Sequence, residues 1–137
     1  MKYHIVLDTN VIVSAMITKN TDAPTVVLFR KLIADDRIVL LVNDAILSEY
    51  REVLHRSKFG LDSYLVDTTV DMLESIATKV NGKPYRGRMP DPKDVMFVEV
   101  SLSVAGSKII TGNRRHFPEI DNVMSPSEFL SLMETYD

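Results

Sequence analysis

Apolar residues along the chain follow two kinds of pattern. The first is the short unbroken run: Tyr3-His4-Ile5-Val6-Leu7 near the start, Ile38 to Val42, Lys108 to Thr111, and a brief last one from Asn122 to Met124. Runs of this length that stop abruptly in polar residues predict strands buried on both faces. The second pattern is the helical stripe. Val26, Val27, Phe29, Leu32 and Ile33 give Thr25 to Ala34 one buried face. Ile46, Leu47, Tyr50, Val53 and Leu54 fall at i, i+1, i+4, i+7 and i+8. From Asp62 to Thr78 the stripe recurs as Leu65, Val66, Thr69, Met72, Leu73 and Ile76.

Polar residues punctuate these elements. Asp8-Thr9-Asn10 ends the first run, and a helix begins at Val11 and reaches Ile17. Lys19 to Pro24 is a polar break, and Asn43 or Asp44 caps the helix that follows the second run. Gly60 closes that segment. Asn81-Gly82 and Lys83-Pro84 mark turns before an irregular stretch from Tyr85 to Pro90. Asp91-Pro92-Lys93-Asp94 reads as a helix start, with the helix running to about Ala105 and Gly106 ending it. Ser125-Pro126-Ser127-Glu128 is a capping box for a C-terminal helix. Strands alternating with helices imply parallel strands joined by right-handed crossovers. The expected fold is a three-layer α/β/α domain spanning residues 1–137, with a central parallel sheet of four or five strands.

Composition narrows the setting. The 137 residues are close to the commonest domain size and long enough to bury a core. With no cysteine there are neither disulfides nor thiolate ligands, which fits a reducing cytosol. No charged leader precedes an apolar stretch and no apolar run approaches membrane-spanning length, so a cytoplasmic protein without membrane association is expected. The net charge of −3 argues against a general polyanion-binding surface. Two basic groups still leave local contact open: Lys79, Lys83, Arg86, Arg88 and Lys93, then Arg114, Arg115 and His116. A solvated loop is the alternative for each.

The acids carry the candidate chemistry. Asp8 ends a buried strand, and open α/β folds bind ligands at that edge of the sheet; it is equally placed to cap the following helix. Glu49 borders the buried stripe of its helix, where a carboxylate is costly unless paired or bound to a cation. Asp94 stands beside the packed face of Phe97 and Val98, although the helix dipole also favours an acid there. Asp91 is explained by capping alone, worth ~1 kcal/mol, or as a support for the site. Together with Asn113 after the third run, these positions suggest one site.

At these residues the chain resembles the PIN-domain family, and within it the toxin-type proteins of bacterial and archaeal toxin–antitoxin pairs. The resemblance rests on four ordered motifs: Leu7-Asp8-Thr9-Asn10-Val11, Ser48-Glu49-Tyr50 before Val53-Leu54, Asp91-Pro92-Lys93-Asp94 with Phe97, and Ile110-Thr111-Gly112-Asn113 with His116-Phe117. It implies a metal-dependent ribonuclease. Asp8, Glu49 and Asp94 match the family's acidic metal-binding and catalytic positions, and Asn113 stands where many members carry a fourth Asp. Thr9 and Thr111 match polar residues that support the acids.

Carboxylate oxygens with no cysteine or paired histidine favour Mg²⁺ or Mn²⁺, one ion or two. Such ions neutralise phosphate charge and activate water. Asn113 removes one negative charge, which bears on the second ion more than the first. Arg114, Arg115 and His116 would flank the mouth, in reach of RNA phosphates. The toxin reading further implies a small antitoxin partner, and the apolar helix positions between Thr25 and Thr78 serve either the core alone or a homodimer. Two other readings fit parts of the sequence. One is a catalytically weak PIN-like RNA- or protein-binding module, motivated by Asn113 and the acidic charge. The other is a receiver-like phosphatase with Asp8 as nucleophile, for which no lysine follows a late strand.

Overall fold

Ile5, Val6 and Leu7 form the middle of the molecule, at most 1% exposed. They belong to β1 (Tyr3–Leu7), the central strand of a five-stranded sheet in the computed structural model, which describes residues 1–135. The last two residues of the expected domain, 136 and 137, lie outside the described residues. Around β1 stand β2 (Ile38–Val42), β3 (Thr78–Lys79), β4 (Lys108–Ile110) and β5 (Val123–Met124), in the order β3-β2-β1-β4-β5. Every pairing is parallel. Burying each Ile or Leu of such strands stabilises the fold by about 1.5–3 kcal/mol relative to exposure.

Helices cover both faces, giving the three-layer α/β/α arrangement. They are α1 (Thr9–Ile17), α2 (Pro24–Ala34), α3 (Asp44–Leu54), α4 (Ser63–Ile76), α5 (Val95–Leu102) and α6 (Pro126–Thr135). Helix α2 packs on α1 and α6, while α3 packs on α4 and touches α5. Asn43 caps α3 by accepting from the Ile46 amide at 2.8 Å, and Asp62 caps α4 by accepting from Leu65 at 3.1 Å. Both bonds of the Ser125–Glu128 capping box form, at 2.9 and 3.1 Å. None of the described helices is long and apolar enough to cross a membrane.

Several local expectations are corrected. The buried face of α2 is Leu28 and Leu32, whereas Ile33 is 53% exposed; one residue rotates a helix by about 100°, enough to carry Ile33 off the stripe. On α4 the buried residues are Val66, Val70 and Leu73, and Leu65 and Ile76 face outward. That helix stops at Ile76, so Thr78 belongs to β3, a two-residue edge strand pairing with Leu41 and Val42. Helix α1 starts at Thr9, two residues before Val11. A 3₁₀ turn, Pro92–Asp94, precedes α5, which ends at Leu102 short of Ala105.

Candidate active site

The strand order places a reversal beside β1. From β1 the chain moves outward through β2 and β3, then crosses back to add β4 on the other side of β1. The crevice outside the carboxyl ends of β1 and β4 is therefore the topological switch point, where open parallel sheets bind ligands. Leu7 pairs with Ile110 in the register. The next residues of the two strands are Asp8 and Thr111, so neighbouring side chains emerge side by side at that edge.

They are joined there. The Thr111 hydroxyl donates to Asp8 Oδ2 at 2.7 Å, and the Asp8 amide donates to the Ile110 carbonyl at 2.9 Å. Asp8 is only 4% exposed and Thr111 1%. Asp8 occupies the N-cap position of α1, yet its carboxylate makes no cap hydrogen bond; the nearby Asn10 and Thr9 amides lie close enough only to favour its charged form. Capping thus does not account for this acid. Burial pushes its carboxyl above the ordinary aspartate value, opposed chiefly by the Thr111 hydrogen bond, with the nearby His116 ring acting in the same direction as that bond. The adjoining Thr9 hydroxyl is buried with no hydrogen-bond partner. It does not bond to any of the acids it was expected to support.

Glu49 reaches the same edge from α3. Tyr50, its neighbour, is fully buried and donates its hydroxyl to the Leu7 carbonyl at 2.7 Å, one residue from Asp8. That bond ties α3 to the end of β1. Glu49 is half-buried; burial raises its pKa first, then the charge of Glu52, with Asp8 adding to it and Arg56 and Lys93 opposing. In the sequence Tyr50 stands in an apolar stripe and in the Ser48-Glu49-Tyr50 motif, with no role assigned to its hydroxyl. Its hydroxyl gives it the second role, and the signal was its place beside Glu49.

Asp94 lies at the N-cap position of α5 but makes no cap hydrogen bond. It is half-buried, and its carboxyl is pushed up to about 6, by burial first, then by the charges of Asp8 and Asp91, with Glu49 adding and His116 opposing. Asp8, Glu49 and Asp94, from three separate elements, therefore share one electrostatic neighbourhood. Asp91 caps the 3₁₀ turn, accepting from the Lys93 amide at 3.0 Å. Its carboxylate is exposed and does local structural work while contributing charge to Asp94.

Asn113 follows β4. Its amide donates to Thr111 Oγ1 at 3.0 Å, its Oδ1 accepts from the Arg115 amide at 3.2 Å, and its Nδ2 lies 3.2 Å from His116 Nε2. The Arg114 guanidinium pairs with Glu128 of α6 at 2.6 Å, with both side chains more than half exposed. Arg115 is exposed. Of the first basic group, Lys79 pairs with Asp44 and Glu74. Glu128 was legible only as half of a capping box.

Among the described residues, no three His, Cys, Asp or Glu side chains stand together as a ready-made ligand cage. The donor set nevertheless suits a hard cation. Mg²⁺ takes one or two carboxylates directly and keeps several waters. A buried carboxylate oriented by a hydroxyl, with other acids whose charges raise one another, gains most from a nearby positive ion.

Fold and site together define a parallel three-layer α/β/α domain with an acidic edge at its switch point. A family model for the PIN domain matches residues 4–115, and the chain belongs to the PIN-domain family. PIN domains are generally nucleases and typically use divalent metal ions. Searches among curated proteins and among solved structures gave no match. The family match ends before β5, α6 and Glu128.

Proposed function

We propose that the chain is a metal-dependent endoribonuclease that hydrolyses phosphodiester bonds of single-stranded or structured RNA. The observation that carries this reading is the buried Asp8 carboxylate, held by Thr111 and sharing its field with Glu49 and Asp94. Asp8 and Asp94 would hold one Mg²⁺ or Mn²⁺, Glu49 would bind directly or through water, and Asn113 would position a water, with a second ion less well provided for. When bound, such an ion neutralises charge on the phosphate and on the leaving oxygen and makes water a better nucleophile. Thr111 keeps the Asp8 oxygens oriented and favours their charged form. Tyr50 fixes the helix that presents Glu49. Asp94 would orient the attacking water, and Arg115 and His116 would meet the RNA.

Within that activity, the ordered motifs support a toxin of a toxin–antitoxin pair acting in the cytoplasm. A small antitoxin would bind it and cover the crevice, and the apolar helix positions between Thr25 and Thr78 would serve either the core alone or a homodimer. Incubation with labelled single-stranded RNA and Mn²⁺ tests the activity. Cleavage by the wild type that EDTA and Asp8→Asn both abolish supports it. RNA decay at equal rates in wild type and Asp8→Asn would sink it.

One observation favours a second reading, a binding module of weak activity. Both ends of the Asn113 amide are already engaged, by Arg115 and His116. Tight RNA or protein binding with no metal-dependent cleavage is its expected result.

A further inference from the structure

A groove of about 880 Å³ opens between the loop ahead of α5, which carries Arg88, and the segment that links β4 to β5. Three arginines line it, Arg88, Arg114 and Arg115. Arg114 is committed to Glu128, but the guanidinium groups of Arg88 and Arg115 make no hydrogen bond or ion pair among the described residues. Its floor is apolar, formed by Phe117, Pro118, Ile120 and Val123. Phe117 is buried and held edge-on against Phe97, with ring centroids 6.2 Å apart, so the floor rests on the core. Glu119 and Asp121 also line the groove. With Arg114 paired, Arg88 and Arg115 are the groove's two uncommitted cations, and they share it with these two carboxylates.

Two free guanidinium groups over an apolar floor fit a ligand that is anionic along one edge and flat and apolar across its faces. A nucleotide within a single strand has that character: phosphates pair with arginine, and the base face covers apolar surface. The volume lies within the ordinary range for small-molecule sites, about 300–1,000 Å³. The groove leads towards the acids through Asn113, which accepts from the Arg115 amide and lies 3.2 Å from His116 Nε2, the ring that acts on Asp8 and Asp94.

We propose that this groove is the subsite for one nucleotide of single-stranded RNA lying next to the phosphate at the acidic edge. Arg88 and Arg115 hold the phosphates that flank it, and the floor around Ile120 receives its base. The choice of RNA as ligand rests on the nuclease reading; the shape and charge of the groove do not.

Fluorescence anisotropy of a labelled ten-nucleotide single-stranded RNA, with the full chain in EDTA across a range of KCl, tests it. Arg88→Ala and Arg115→Ala should each raise Kd several-fold and flatten the salt dependence by about 0.7 per phosphate lost. Ile120→Ser should raise Kd while leaving the salt slope unchanged, because the contact it removes carries no charge. Lys19→Ala, in the loop after α1, should behave as wild type. Wild-type affinity and slope in the Arg88→Ala/Arg115→Ala double variant would overturn the proposal, as would no RNA binding by the wild type. Parallel cleavage assays with Mn²⁺ separate the two readings. Cleavage with groove-independent binding removes the subsite and leaves the nuclease. Groove-dependent binding without cleavage removes the nuclease and leaves the subsite.

Discussion

Thr111 donates its hydroxyl hydrogen to Asp8 at 2.7 Å, across 103 residues of sequence. The bond exists because β1 and β4 are neighbours in parallel register, and it orients a buried carboxylate that has few other partners. Thr111→Val keeps the side-chain shape and removes that donor. Stability should fall by about 1 kcal/mol, the usual net value of such a hydrogen bond. Metal affinity or activity should fall by about 10–100-fold, as when the groups behind metal ligands are lost. Denaturant melts and Mn²⁺ titration of this variant check both; unchanged metal affinity would mean that Asp8 needs no support.

Asn113→Asp adds a carboxylate where the site has an amide. Without metal the new charge adds to the repulsion already acting on Asp94, so the variant should melt at a lower temperature than wild type at neutral pH. With Mn²⁺ the order should reverse, and calorimetry should show tighter binding or an added equivalent of ion. A variant with wild-type metal affinity would place position 113 outside the metal site.

The raised carboxyl of Asp94 gives a pH signature. Its folded value is about 6 against an ordinary 3.8, so between those values the folded chain binds more protons than the unfolded one. Stability from this group therefore rises as pH falls from about 6 towards 4. Burial shifts Asp8 the same way, and burial with the charges of Glu52 and Asp8 does so for Glu49. In metal-free buffer, the Tm of wild type relative to Asp94→Asn should climb as pH drops through that window. Mn²⁺ affinity should weaken over the same range, because protons compete for the carboxylates. A flat Tm difference would contradict the assignment of repulsion to Asp94.

Glu99 straps the loop that carries Arg88 onto α5. Its backbone carbonyl accepts from the Lys83 amide at 2.9 Å, and its carboxylate accepts from the Tyr85 amide at 3.1 Å. Gly82 lies so close that a Cβ there would stand 3.1 Å from the Glu99 Cβ. Glu99→Ala should leave the fold intact but free residues 83–90, visible as faster proteolysis there. RNA affinity should fall several-fold with no change in Mn²⁺ affinity. Wild-type proteolysis would show that the carboxylate is dispensable to the loop.

Much of this architecture is written in local patterns. The buried runs of β1 and β2, the stripe of α3 and the Ser125–Glu128 box each need only nearby residues to be read. The face of α2 was harder, because Val26, Val27, Phe29 and Ile33 are as apolar as Leu28, and packing on α1 and α6 selects among them. Thr78–Lys79 carries no strand signal, being short and exposed, and exists because the edge of β2 offers it hydrogen bonds. The acids could be named from their motifs, but Asp8, Asp91 and Asp94 each had a capping or helix-dipole explanation. Asp8 and Asp94 leave that explanation only once their carboxylates are seen making no cap bond. The Arg88–Arg115 groove joins loops more than twenty residues apart, and no periodicity records it.

The convergence of the acids on one cation is best tested by Mn²⁺ titration followed by electron paramagnetic resonance. Wild type, Asp8→Asn, Glu49→Gln and Asp94→Asn would be compared, with Glu134→Gln on α6 as a distant acid. Each of the first three substitutions should weaken the same tightest Mn²⁺ site, and Glu134→Gln should leave it unchanged. Wild-type Mn²⁺ affinity in both Asp8→Asn and Asp94→Asn would contradict the account.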